Sequence, residues 1–89
     1  LTAKFYPDRM AITVGASEKL SPEDAAAGLA RHLNGDWGDV DAHDREQNDA
    51  ALHFGGRLMG QYQDPKGTTF WIITEADRSV TTVLLPEDY

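Results

Sequence analysis

The chain has 89 residues, a formal net charge of −7 from 15 acidic and 8 basic side chains, and no cysteine. This length accommodates one domain that buries roughly 60–65% of its unfolded surface, so the core is thin. Without cysteine there are no disulfides, thiol nucleophiles or thiolate metal sites, and the acidic balance opposes general nucleic-acid binding because phosphates are repelled at long range.

The absence of cysteine fits a reducing, cytoplasmic setting, which is the expected localisation. No apolar run approaches the roughly 18 residues needed to cross a bilayer, so no membrane association is expected. No basic-then-apolar leader is present, although a chain beginning at Leu1 leaves an upstream segment open. The acidic excess reads as a solubility surface or as a face that meets a basic partner.

In chain order, residues 1–9 lack sustained periodicity and read as an arm. Met10-Ala11-Ile12-Thr13-Val14 alternates, with Met10, Ile12 and Val14 on one face, and predicts a short strand ending at Gly15. Ser21-Pro22-Glu23-Asp24 is a helix start: a capping serine, proline at the first helical position, and acids at the positive end of the dipole. Ala25, Leu29 and Leu33 give a narrow apolar stripe, and Asn34-Gly35 supplies the stop, so a helix is predicted over 22–33. Gly35-Asp36-Trp37-Gly38-Asp39 is a loop holding one large aromatic. A second helix is expected after Asp41, with Asp44 in its first turn, running to Phe54 and burying Ala51, Phe54 and Leu52 or Ala50; Gly55-Gly56 ends it.

Residues 57–63 then extend, and Asp64-Pro65-Lys66-Gly67 forms a turn. Residues 68–74 and 80–85 are rich in β-branched and aromatic side chains and read as strands joined through the reversal at 75–79. Pro86 stops the last strand. The middle strand carries large residues on both faces, which makes it central. One sheet face packs on the helices; the other, part apolar, is left for a partner, for self-association or for the N-terminal arm. The expected fold is α+β over residues 1–89 as a single domain: an N-terminal β-strand, two α-helices, then a three-stranded antiparallel β-meander (β-α-α-β-β-β).

The segments Gly35-Asp36-Trp37-Gly38-Asp39, Asn48 through Leu52, Gly56-Arg57-Leu58, Tyr62, and above all the run from Trp71 to Tyr89 (WIITEADRSVTTVLLPEDY) resemble a family of small bacterial proteins. Members are about this length and are frequent on plasmids and other mobile elements. The resemblance covers residues 35–89. It implies bacterial origin, a cytoplasmic setting and association with mobile elements, and it supplies no catalytic residues. The element order is also similar, as topology alone, to small ribonucleases of the barnase and RelE class.

Three constellations are candidates for function. Six acids, Asp36, Asp39, Asp41, Asp44, Glu46 and Asp49, fall within fourteen residues and are balanced only by Arg45. Asp41 and Asp44 suit a helix start, and the segment lacks the glycine and closing glutamate of a calcium loop, so no metal or other cofactor is expected. The segment could instead imitate phosphate spacing and so inhibit a host defence protein. His32, His43 and His53 form no zinc-type pair, and His53 near a helix C-terminus gains from the dipole. His53, Arg57, Glu75 and Arg78, with a hydroxyl from Thr81 or Thr82, are the set that a metal-free ribonuclease toxin would use as base, acid and phosphate clamp. Glu75 and Arg78 flank a tight reversal, where a salt bridge or backbone bonds are the ordinary use. Trp37 suits an anchor in the helix–sheet seam. The expected function is a small acidic, non-enzymatic interaction or regulatory protein that binds a protein partner through Asp36, Trp37, Asp39 and Arg78. Homodimerisation is a further option.

Overall fold

Thr13 redirects the chain earlier than its alternating pattern suggests. The computed structural model describes residues 3–89 and ends strand β1 (Arg9–Ile12) before this threonine. Thr13 Oγ1 accepts the Ala16 N–H at 3.1 Å, so helix α1 (Val14–Lys19) begins where the strand was expected to finish. The same hydroxyl donates to Asp88 Oδ2 at 2.6 Å, tying the start of α1 to the last residues of the chain. Val14 and Gly15 are therefore helical, and the order becomes β-α-α-α-β-β-β. Of the expected arm, residues 1 and 2 lie outside the described residues, Phe5 is buried, and Arg9 already belongs to β1.

Helix α2 (Pro22–Leu33) forms as its sequence signals direct. Ser21 Oγ accepts the Asp24 N–H at 3.1 Å, Pro22 opens the helix, and the chain leaves through Asn34 and Gly35, the latter at φ 79°. Its buried residues are Ala25, Gly28 and His32, while Leu29 and Leu33 flank them half-buried. A Cβ on Gly28 would sit 2.7 Å from the Phe70 ring, so glycine here sets how closely α2 approaches the sheet.

Helix α3 (Ala42–Phe54) is capped by Asp41, whose carboxylate accepts the Asp44 N–H at 2.8 Å, and ends at Gly55 and Gly56. Its inner face differs from expectation. Asn48 is the buried residue, with Ala51 and Leu52 half-buried beside it, and Phe54 is 89% exposed. At 3.6 residues per turn, Phe54 lies about 120° round the helix from Asn48, off the face that packs.

Strands β2 (Leu58–Gln63), β3 (Thr69–Thr74) and β4 (Val80–Leu84) pair antiparallel in sequence order, with Gly60 opposite Ile72 and Ile72 opposite Val83. Strand β1 adds to β4 in parallel, giving the order β1-β4-β3-β2. The sheet is thus four-stranded and mixed rather than antiparallel throughout. The parallel edge follows from connectivity: α1, α2 and α3 lie between β1 and the meander, and only such a long excursion returns a chain to run parallel to its start.

On the helix side, Tyr62, Phe70, Ile72, Val83 and Leu85 pack with Ala16, Leu20 and Ala25. A second cluster joins Phe5, Trp37 and Leu58, with Leu33, Val40, Ala51 and Leu52 packed against it. The arm therefore enters the helix-side seam and not the second sheet face. On that second face Ile73 and Leu84 are buried, and Tyr89, beyond a 3₁₀ turn at Pro86–Asp88, places its ring edge-on to Trp71 at 5.7 Å.

The two sheet edges are treated differently. Along β2, the Asn48 carboxamide donates to Met59 O at 2.8 Å and accepts its N–H at 3.1 Å. Next to it, Gln61 N–H donates to Trp37 O at 3.0 Å and Gln61 O accepts the Asp39 N–H at 2.7 Å. This edge is closed by one side chain and one loop, the usual protection against edge-to-edge pairing. Among the described residues strand β1 has no such cover, and all four of its residues are exposed.

Candidate functional site

The loop between α2 and α3 is held rigidly, and the manner of holding decides what it can present. Trp37 is 3% exposed and its indole N–H donates to Asp49 Oδ1 at 2.9 Å. Its place in the seam is that of an anchor, so the ring itself is not a surface contact. Asp36 accepts two bonds from Arg31, at 2.8 and 3.2 Å, and a third from the Gly38 N–H at 3.0 Å. Arg31 holds the Asp36 carboxyl below the usual carboxylate range. Gly38 sits at φ 73°, and a Cβ there would meet the Gln61 carbonyl oxygen, which fixes the loop against β2. Asp39 is exposed just beyond this bridge. With Asp41, Asp44, Val40, Met59 and Gln61 it lines a cleft of about 390 Å³, which also takes in Gln47 and Asn48 and has no basic residue in its lining.

Behind the loop lies a buried polar chain that the sequence pattern did not single out. Tyr62 Oη donates to Asp36 O at 2.8 Å, so its hydrogen is committed. His32 Nδ1, 3.1 Å from that hydroxyl, must therefore donate to it. His32 Nε2 then accepts from Thr74 Oγ1 at 2.9 Å, and Thr74 accepts from Thr81 Oγ1 at 2.7 Å. The geometry fixes a neutral imidazole protonated on Nδ1, wedged edge-on between Phe5 and Trp37. Burial, with the Arg78 charge adding to it, pushes His32 down to about 4, and burial pushes the Tyr62 hydroxyl up. The available signal was positional: a histidine on the inner face of a helix, with Tyr62, Thr74 and Thr81 all at inward-facing strand positions.

This histidine predicts acid sensitivity. Between the ordinary value of 6.5 and about 4, the unfolded chain binds a proton that the folded chain refuses. Stability should therefore be intact above pH 6.5, fall as pH drops through this window, and level off below about 4, by about 3 kcal/mol in all. Urea midpoints at pH 7 and pH 4.5 check this, with His32→Phe as control. The variant should lose the part of the slope that belongs to the imidazole, and an unchanged slope would remove His32 as its source.

Arg78 is bound into the fold through both terminal nitrogens. Its guanidinium donates to the carbonyls of Gly56 (2.6 Å), Ala51 (2.9 Å), Ala76 (3.2 Å) and Glu75 (3.3 Å) and lies over the Phe5 ring. It caps the end of α3 and braces the reversal at 75–79, where Arg78 itself has φ 64°. Nη1 carries three of these bonds and Nη2 the fourth, so the guanidinium is turned into the fold and braces it, which is a structural use of its donors. Arg78→Ala should cost about 2–3 kcal/mol by leaving part-buried carbonyls unpaired. Arg78→Gly, which relieves φ but also removes the bonds, should remain destabilised in the same denaturation assay, whereas a gain in stability would show that strain outweighs the bonds.

The structure brings Arg57 and Glu75 together at 3.5 Å on the surface, with Arg57 also donating to Tyr89 Oη at 2.8 Å. That hydroxyl, first, and Glu75 raise the Arg57 guanidinium further above its usual value. His53 is exposed near the end of α3, its ring beside Phe54. Thr81 is buried in the histidine chain, which leaves Thr82 as the half-buried hydroxyl of the pair.

Among the described residues, no group of three or more histidines and carboxylates converges as a metal-holding set, and no helix is long and apolar enough to cross a membrane. Comparison with protein-family models, with curated proteins and with solved structures finds no match for this chain.

Proposed function

We propose that this chain is a small acidic, non-enzymatic interaction protein of a bacterial mobile element, and that it binds a basic surface on a host- or element-encoded protein. The mobile-element setting rests on the motif resemblance across residues 35–89. The observation that carries the binding reading is the cleft at the β2 edge, where exposed Asp39, Asp41 and Asp44 stand beside Val40 and Met59 with no basic residue lining it. Carboxylates steer a cationic partner, and the apolar lining gives it something to desolvate. Trp37 contributes as an anchor: by locking the loop to α3 and β2 it holds Asp36 and Asp39 in fixed positions, so little ordering entropy is lost on binding. A nucleic-acid-binding defence protein would present the same basic surface, so the inhibitor reading shares this chemistry.

The test is affinity capture from bacterial lysate with mass spectrometry, comparing the wild-type chain with Asp39→Asn/Asp44→Asn. The expected result is a basic protein that is retained at low salt, released as salt rises, and lost with the double variant. A clean capture at low salt would overturn the proposal. The ribonuclease alternative predicts that expression halts growth and that Glu75→Gln abolishes the effect; harmless expression with intact RNA would remove it.

A further inference from the structure

The open edge of the sheet has a pattern that complements itself. Arg9 and Thr13 donate their N–H groups to Ser79 and Val83 of the β4 side, so by strand alternation the N–H and C=O groups of Met10 and Ile12 point away from the sheet. Their side chains are 52% and 45% exposed. They border an apolar groove of about 370 Å³ that runs between β1 and the start of α2, past Leu20, Pro22, Ala25 and Leu29. The opposite edge of the same sheet is closed by Asn48 and the Trp37–Asp39 loop, so β1 is the one sheet edge left open among the described residues.

We infer that β1 is a homodimerisation edge, with two copies pairing antiparallel about a two-fold axis at Ala11 to form a continuous eight-stranded sheet. In this register Met10 lies opposite Ile12 of the second copy, and the two exchange both backbone bonds through groups that the monomer leaves to solvent. Ala11 meets Ala11 at the axis as a non-hydrogen-bonded pair, where the small side chain offers no obstacle to the approach of the two strands. Met10 and Ile12 of both copies then fill one continuous apolar channel roofed by the two α2 helices.

Charge selects a second copy over a foreign strand. Arg9, which has no ion-pair partner among the described residues, falls opposite Thr13 of the second copy. The Thr13 hydroxyl holds the Asp88 carboxylate at 2.6 Å, beside the end of the strand. Each Arg9 therefore reaches an Asp88 across the axis, twice by symmetry, as a self-complementary interface requires. This local pairing opposes the repulsion between two chains of charge −7. Strand β1 is short, so the interface belongs with small, reversible ones.

The experiment is sedimentation or light scattering of the wild-type chain from about 1 μM to about 1 mM, the range where small interfaces exchange. The expected result is a mass that rises from one copy to two, with the Met10 and Ile12 amides gaining protection from exchange as it does so. Ile12→Lys should weaken the dimer at least tenfold, and Arg9→Glu should weaken it further as salt is lowered, both with circular dichroism unchanged and with the urea midpoint unchanged at about 1 μM, where the chain is a single copy. A monomer at every concentration would overturn the inference. So would a dimer indifferent to both substitutions, or one whose Met10 and Ile12 amides still exchange freely. Each of these failures leaves the binding proposal standing, because the acidic cleft lies at the opposite edge of the sheet, and Ile12→Lys should still capture the basic partner.

Discussion

Replacing His32 with alanine is expected to lower the unfolding free energy by about 3–5 kcal/mol, a large part of the total for a domain of this size. Two losses combine. The ring is fully buried between Phe5 and Trp37, so its removal leaves a cavity that the surrounding aromatic rings fill poorly. Its two nitrogens also partner Tyr62 Oη and Thr74 Oγ1, and removing them leaves two buried hydroxyls a bond short. His32→Phe separates these terms. It keeps most of the volume and loses the bonds, and should cost about 1–3 kcal/mol. Equilibrium urea unfolding of the three chains measures both, and a loss below about 1 kcal/mol for alanine would mean that the network is incidental to the fold.

The second large effect is expected at Gly38, where alanine should cost about 3 kcal/mol or more. The backbone there has φ 73°, and the added methyl would be driven into the Gln61 carbonyl oxygen and to within 2.9 Å of the Tyr62 ring. Neither neighbour yields easily, since one is sheet backbone and the other is the buried end of the histidine chain. Gly67 is the control: its φ is 86° but an added Cβ would meet nothing within 4 Å, so Gly67→Ala reports left-handed strain alone, about 1 kcal/mol. Comparable losses at the two glycines would show that the contact between the loop and β2 contributes little.

How much of this was legible in the sequence depended on whether a local signal had a local cause. Ser21-Pro22 and Asp41 each announced a helix because capping is settled within three residues, and both caps form. The β2–β3–β4 pairing was legible because its turns carry their own chemistry: Asp64 Oδ1 accepts the Lys66 and Thr68 N–H groups, and Asp77 accepts that of Ser79. Helix α1 was not legible, because Met10-Ala11-Ile12-Thr13-Val14 keeps its alternation straight through Thr13. The cap that stops it also depends on Asp88, 75 positions away. The parallel pairing of β1 with β4 was hidden for a similar reason, since it is decided by where three helices return the chain.

The candidate site was half legible. The acids of residues 36–49 could be counted, but their division of labour could not. Asp36 pairs with Arg31, Asp41 caps α3 and Asp49 holds Trp37, leaving Asp39 and Asp44 as the less committed carboxylates of the cleft. Backbone bonds from Arg78 at its own reversal were the ordinary reading, and its bonds to Glu75 O and Ala76 O form; its further reach to Ala51 O and Gly56 O is a convergence visible only once the chain is folded.

The polar groups thus divide in two: His32, Tyr62 and Arg78 brace the fold, and the exposed carboxylates Asp39 and Asp44 line the cleft where we propose that a partner binds. The most direct measurement is a residue-by-residue NMR titration of the isotopically labelled chain with the basic protein captured from lysate. Amide shifts are expected to be confined to residues 36–48 and the outer edge of β2, with the His32 ring and the Arg78 guanidinium signals unmoved. Shifts centred instead on His53, Arg57, Glu75 and Arg78 would contradict this division.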